Sequence, residues 1–282
     1  MNKDYPRVLT VQDISCFGQC SLTVALPIIS ACGAETCVLP SAVLSTHTCG
    51  FSGYTFRDLT SDMSLIERHW QKENISFDAV YTGYLGSAEQ IGYVLDIAKN
   101  CLNDGGLLIV DPAMADNGKL YPGFDAAFVE EMKKLAAKAD FLLPNLTEAC
   151  LLTGAEYKTE YDENYIKSVA EKLCSLGAKT VVLTGVGYKE GKTGVVIASA
   201  DEYYYYEHEK LSDGCHGTGD IYASAFTGAL VRGINARKAA EIAANYVLCC
   251  IKATAGDPSH KYGAKFEKSL FNLISAVQKE AE

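Results

Sequence analysis

The chain has 282 residues, with 25 basic against 35 acidic side chains and a formal net charge of −10. Hydrophobic residues make up 48% and charged residues 21% of it, which excludes a disordered chain, a collagen-like repeat and a coiled coil. The acidic balance argues against a dedicated nucleic-acid binder, and no apolar run approaches the roughly 20 residues of a membrane span. The polar start, Met1 to Arg7, does not read as a signal peptide. Eleven cysteines with no C-x-x-C pair disfavour a zinc ribbon, so most of them read as small buried thiols in a reducing, cytoplasmic setting.

Short β-rich runs alternate with longer segments of helical period. Val8 to Gln12 reads as a buried strand and Ser21 to Cys32 as a helix containing Pro27. Glu35 to Leu39 is a second strand, followed by a polar loop from Pro40 to Tyr54 and an amphipathic helix from Leu59 to Glu73. Strand Ala79 to Thr82 leads through Gly83-Tyr84-Leu85-Gly86 into a helix from Ser87 to Leu102. Strand Leu107 to Asp111, helix Phe124 to Lys138 and strand Phe141 to Leu143 come next. Helix Glu163 to Leu176 and strand Thr180 to Thr184 complete the alternation. Thr193 to Ala198 and Tyr203 to Glu207 then read as antiparallel neighbours, with two of the four rings of Tyr203 to Tyr206 on each face. Helices Thr218 to Arg232, Ala236 to Thr254 and Phe266 to Lys279 close the chain.

Repeated βα units without a linker or repeat predict one domain, residues 1–282, with a mostly parallel sheet between two helical layers. Ligands of such a sheet bind beyond the C-terminal ends of its strands. Asp13, Ser45 to Thr48, Gly83-Tyr84, Asp111, Asn145 to Glu148 and Thr184 to Gly187 all fall at such ends and should share one rim.

No G-x-G-x-x-G follows the first strand, which disfavours a dinucleotide site. Gly191-Lys192-Thr193 imitates the end of a P-loop, but the upstream glycines are misplaced and a strand follows, so Lys189 to Lys192 reads as a hairpin turn. The stronger signal is Gly214-Cys215-His216-Gly217-Thr218-Gly219-Asp220, which opens a helix. Small residues let an anion approach the outward-pointing N–H groups at the positive end of the helix dipole. Asp220 in that first turn serves either as a favourable first-turn acid or as a base for an attacking hydroxyl.

The Gly-Thr-Gly-Asp helix entry resembles the catalytic signature of the ribokinase-like small-molecule kinases. Thr82 to Gln90, Leu44-Ser45-Thr46-His47-Thr48, Asp111-Pro112 with Asp116, and Pro144-Asn145-Leu146-Thr147-Glu148 resemble the pyridoxal kinase branch, in family order along nearly the whole chain. The resemblance implies a three-layer α/β/α kinase with a few antiparallel strands. Its reaction would be ATP-dependent phosphorylation of the hydroxymethyl group of pyridoxal, pyridoxine or pyridoxamine. It implies Asp220 as general base, and Gly217, Thr218 and Gly219 as an anion hole for the transferring phosphate. His47, Thr48 and Tyr84 would line the pyridine pocket. Asp111, Asn145, Glu148 and Thr184 would lie on the ATP side, with Glu148 and Asp111 near Mg²⁺, and with room for a monovalent cation such as K⁺. The family's frequent dimerisation implies a homodimer. Asp13 departs from the pattern, because pyridoxal kinases commonly carry a serine there, whereas sugar-kinase relatives hold hydroxyls with an aspartate. The alternatives are a hydroxymethylpyrimidine kinase, against which Asp220 argues because such relatives often carry cysteine there, and a non-catalytic nucleotide- or vitamer-binding regulator.

Overall fold

The computed structural model describes residues 4–211 and 215–281. Gly214, at the head of the glycine motif, and Met1 to Lys3 lie outside the described residues.

Among the described residues nine strands form one sheet. In chain order they are β1 (Arg7–Ser15), β2 (Glu35–Leu44), β3 (Phe56–Asp58), β4 (Phe77–Thr82), β5 (Leu102–Val110), β8 (Phe141–Leu142), β9 (Thr180–Val186), β10 (Lys192–Ser199) and β11 (Tyr203–Glu209); β6 (Ala115–Asp116) and β7 (Lys119–Leu120) make a separate small hairpin. The spatial order is β11-β10-β9-β8-β5-β4-β1-β2-β3. The six strands from β9 to β2 run parallel, and β3, β10 and β11 join antiparallel.

Helices α1 (Leu22–Ala31), α7 (Thr218–Val231), α8 (Ala236–Thr254) and α9 (Leu270–Ala281) cover one face, the last preceded by a 3-10 turn at Phe266–Ser269. Helices α2 (Thr60–Lys72), α3 (Ala88–Asn100), α4 (Ala126–Ala136), α5 (Leu146–Thr153) and α6 (Glu163–Leu176) cover the other. The period-two alternation of each strand feeds both layers. Val8, Ala79 and Tyr81 pack toward α1 and α7, while Leu9, Val11 and Val80 pack toward α2 to α6. The rings of Tyr203 and Tyr205 divide from those of Tyr204 and Tyr206 in the same way.

The predicted α/β/α layering around a mostly parallel sheet is what forms, and the Lys189–Lys192 segment is the turn between antiparallel β9 and β10. Four local expectations need correction. The predicted loop from Pro40 onward is strand as far as Leu44. A proline cannot donate to a ladder, and here Pro40 stands opposite Gln12, where the β1–β2 register shifts. Strand β1 continues to Ser15, so Asp13 sits on that bulge within the strand rather than just past it. Leu102 belongs to β5, not to the preceding helix. The segment after Asn145 is helix α5, an element absent from the predicted series.

Strand β1 lies between β2 and β4, and α1, which follows β1, covers the opposite face of the sheet from α3, which follows β4. That reversal opens a crevice at the C-terminal rim, and β1 delivers Asp13 into it. Among the described residues, no helix is long and apolar enough to cross a membrane.

Candidate active site

Helix α7 starts at Gly217, whose φ of 78° lies in the left-handed region and whose Cα leaves no room for a side chain, since an added Cβ would stand 1.9 Å from the Gln19 carbonyl oxygen. Among the described residues no side chain caps the helix, which leaves its first amides to a ligand. An added Cβ at Gly219 would meet nothing within 4 Å. The first turn of α7 therefore faces open space, as an anion cradle requires.

Asp220 projects from that turn, and its Oδ2 accepts the N–H of Ser21 at 3.0 Å. Ser21 precedes α1, so Asp220 meets the N-terminal ends of two helices. Burial, reinforced by the nearby Asp13 charge, raises its carboxyl to about 6, with the Ser21 hydrogen bond opposing. That value suits a base that is ionised at neutral pH and still basic enough to accept a proton.

Asp13 is 5% exposed and accepts the Ser15 hydroxyl at 2.9 Å. Burial holds its carboxyl above the usual range, against the hydroxyls of Ser21 and Ser15. Ser21 thus ties Asp13 to Asp220. Its backbone is left-handed, φ 51°, although it is not glycine. No local sequence signal marks Ser21, because both of its partners are brought to it by other elements.

Asp111, immediately after β5, is raised well above a normal carboxylate by burial, then by the charges of Glu148 and Asp220. Among the described residues nothing donates a hydrogen bond to its carboxylate. Glu148 is differently placed: Oε2 accepts the Asn145 N–H at 2.9 Å, and Oε1 accepts those of Met114 at 3.1 Å and Ala115 at 3.4 Å. Asn145 returns the bond by accepting the Glu148 N–H, which completes a capping box at the start of α5. Its amide also donates to the Ala115 carbonyl at 2.8 Å. Thr184 donates its hydroxyl to the Pro144 carbonyl and pairs across a bridge with Asn145. Asn145, Glu148 and Thr184 thus lock the ends of β8 and β9 together. Only Asp111 offers an uncommitted carboxylate on that side.

This rim holds Asp13, Asp111, Glu148 and Asp220, all with raised carboxyls. Tyr121 feels Glu148, Asp111, Asp116 and Asp220 together, which places Asp116 at the edge of the same cluster. Such a cluster favours a bound cation. No three ligating side chains converge among the described residues, so a metal here would rely on Asp111, on water held near Glu148, and on ligand oxygens. That donor set suits Mg²⁺, which keeps water and phosphate in its shell.

Across β1, Tyr84 is half-buried and pushed up to about 12 by burial and by Asp13. Its ring lies 5.5 Å from Phe124. His47 is buried, and both ring nitrogens are committed: Nδ1 accepts the Cys49 N–H at 3.2 Å, which leaves Nε2–H to donate to the Tyr262 carbonyl at 2.8 Å. His47 therefore offers a ligand its ring, not a nitrogen. Around it stand Phe51 at 5.1 Å and His216 at 5.9 Å, and Phe17 packs on Tyr262 at 4.6 Å. This aromatic wall, built from four loops, was not foreseen. Thr48 is exposed beside it, while the Thr46 hydroxyl is buried without a partner.

A family model for phosphomethylpyrimidine kinase matches residues 26–264. A Bacteroides thetaiotaomicron protein, a candidate phosphomethylpyrimidine kinase crystallised with pyridoxal, superposes with a TM-score of 0.90 at 38% identity, over 95% of each chain. Pyridoxal kinase from Lactobacillus plantarum superposes with a TM-score of 0.89 at 29% identity, over 97% of this chain and 98% of that one. Pyridoxal kinase from Dictyostelium discoideum is 26% identical over 246 residues, covering 80% of this chain and 79% of its own.

Proposed function

Because the chain belongs to the phosphomethylpyrimidine kinase family, and within it to the pyridoxal kinase branch of the ribokinase-like fold, we propose that it transfers the γ-phosphate of ATP to the hydroxymethyl group of a vitamin B6 vitamer. The observation that carries this reading is Asp220 beside the uncapped first turn of α7, across from Asp13.

In this reading the Asp220 carboxylate takes the proton of the substrate hydroxymethyl group. The freed oxygen bonds to the γ-phosphorus as the bond to the β-phosphate oxygen breaks, and ADP leaves. Gly217, Thr218 and Gly219 present backbone N–H groups to the charge that builds on the transferring phosphoryl oxygens. Asp111, with water near Glu148, would hold Mg²⁺, which neutralises phosphate charge when bound. Thr184 and Asn145 shape the nucleotide side, and Tyr84 and the His47 ring flank the pyridine. A cytoplasmic homodimer belongs to the same reading. Competition between pyridoxal and hydroxymethylpyrimidine at limiting ATP tests the substrate assignment: preference for pyridoxal supports it, and preference for the pyrimidine favours the second acceptor class.

Asp13 supports a finer expectation. A carboxylate there can accept from a hydroxyl, a protonated ring nitrogen or a protonated amine, and charge-assisted bonds are about twice as strong as neutral ones. Pyridoxamine carries an amine that the aldehyde of pyridoxal lacks. Asp13→Ser should therefore lower kcat/KM for pyridoxamine more than for pyridoxal, by a differential of about 1–2 kcal/mol. An unchanged ratio between the two vitamers, measured side by side at one pH, would remove Asp13 as the amine reader.

Glu148→Gln should lower the melting temperature, because an amide cannot accept on both sides and one backbone N–H loses its partner, at about 1–3 kcal/mol. It should also move the Mg²⁺ titration at saturating ATP to higher concentration, with vitamer KM little changed. A lowered melting temperature with an unmoved titration would leave Glu148 a purely structural cap.

A further inference from the structure

Away from the catalytic rim, a cavity of about 560 Å³ opens between the start of α6, the β9–β10 turn and β11. Tyr161, Tyr188 and Tyr205 line it, with Asp162, Glu163, Glu207 and Lys189 around its edge. The rings stand steeply to one another: Tyr161 and Tyr188 are 6.4 Å apart at 82°, and Tyr188 and Tyr205 are 4.8 Å apart at 60°.

The hydroxyls of these tyrosines are already spoken for. Tyr161 accepts the Gly187 N–H at 3.2 Å, Tyr205 donates to the Val186 carbonyl at 3.2 Å, and Tyr188 shares a bond with Tyr203 at 3.0 Å. The cavity is thus left with ring surface inside and charge at its mouth. The mouth carries three carboxylates against one ammonium. Of these, Asp162 caps α6, Glu163 pairs with Lys167, and Glu207 pairs with Lys189, so the positive end of α6 is already answered by its own first-turn acids. The neighbouring rings show what this cluster attracts. Lys167 sits over Tyr203 at 4.8 Å, and Lys158 sits over Tyr165 at 5.1 Å. Steeply angled rings beneath carboxylates are the chemistry that binds an ammonium ion, whose charge is drawn to the negative faces of the rings.

The same hydroxyl bonds tie the cavity to the end of β9. Val186, the last residue of β9, and Gly187 after it lie two and three residues beyond Thr184, on the strand end that the functional reading places on the nucleotide side. Ordering Tyr161 and Tyr205 would order that strand end, and a ligand binding to an already ordered strand end loses less conformational freedom. We propose that the tyrosine cavity binds a small organic ammonium ion, and that its occupancy tightens nucleotide binding through Tyr161 and Tyr205.

The probes are choline, tetramethylammonium and the uncharged carbon analogue of choline, titrated by calorimetry into the full chain without turnover. The two ammonium ions should bind, and the neutral analogue should bind about tenfold more weakly. Saturating choline should lower the dissociation constant of Mg-ATP about fivefold, measured as binding so that a failure of the kinase assignment does not enter. Tyr188→Leu should abolish choline binding. Tyr161→Phe, which keeps the ring and frees the Gly187 N–H, should bind choline yet lose the effect on nucleotide. Should Tyr188→Leu not fold, the comparison of charged and neutral probes on the unaltered chain still decides. Equal binding of the neutral analogue, or no binding of either ammonium ion, overturns the site. Binding without any change in nucleotide affinity overturns the coupling.

Discussion

Asp220→Asn should leave a folded protein whose kcat is lower by roughly 10²–10⁴, the range for loss of a general base. The amide oxygen can still accept the Ser21 N–H that now reaches Oδ2 at 3.0 Å, so α1 and α7 should keep their places. Linkage sharpens the expectation. The folded carboxyl titrates near 6, above its ordinary 3.8, so the folded state binds more protons than the unfolded state between those values. Stability conferred through this group is therefore present below the unfolded value and is lost as pH rises through the folded one. At pH 8 the asparagine variant escapes that penalty and should melt no lower than the parent. Catalysis has the opposite sign, because the base must be ionised: kcat/KM of the parent should fall as pH drops below about 6. A variant with near-parental turnover would remove Asp220 from the mechanism, whatever its stability.

Gly219→Val should separate binding space from fold in the same helix turn. A Cβ at Gly219 meets nothing within 4 Å, and valine is no worse than glycine in a helix, so the variant should fold with parental stability. Its side chain would occupy the space where the transferring phosphate must lie, and transfer should fall by about 10²–10³, as when a preorganised donor is lost. Gly217→Ala is the contrast. Its φ of 78° and a Cβ 1.9 Å from the Gln19 oxygen force the backbone to move, at about 1–3 kcal/mol. The alanine variant should lose stability and activity together, the valine variant activity alone. Parental turnover and nucleotide affinity in Gly219→Val would place the anion hole elsewhere.

The difference between these two glycines was not legible in Gly-Thr-Gly, since both look alike until Gln19 is folded against one of them. The layered architecture was legible, because strand and helix periods are local and Val8, Tyr81 and Leu183 must bury whatever follows them. Boundaries failed where a local signal met a tertiary one. Pro40 looked like a loop residue, yet the β1 bulge opposite it removes the demand for its missing N–H. Helix α5 did carry a signal, Asn145 followed three residues later by Glu148, which is a capping box. The same two residues also carry the family resemblance, so one pair of side chains marks both the helix start and the site.

Within the site, the resemblance located residues but not their partners. His47 was expected against a pyridine ring, and only the fold reveals that Tyr262, distant in sequence, takes its Nε2–H. Ser21 and the aromatic wall of Phe17, Phe51 and Tyr262 have no motif, because their partners come from segments distant in sequence. Asp13, Asp111 and Asp220 were each visible as acids. Their convergence follows from β1, β5 and α7 meeting at one rim; burial raises all three carboxyls, and neighbouring acid charge adds to it at Asp111 and Asp220.

The central claim is that this rim phosphorylates a B6 vitamer at its hydroxymethyl group. The most direct measurement incubates the purified chain with pyridoxal, ATP and Mg²⁺ and identifies the product by phosphorus NMR and mass spectrometry, with hydroxymethylpyrimidine and a free sugar in parallel. The account predicts a vitamer phosphate monoester formed in step with ADP, and little product from the other two acceptors. Phosphorylation of hydroxymethylpyrimidine or the sugar alone, or no ADP with any acceptor, would contradict it.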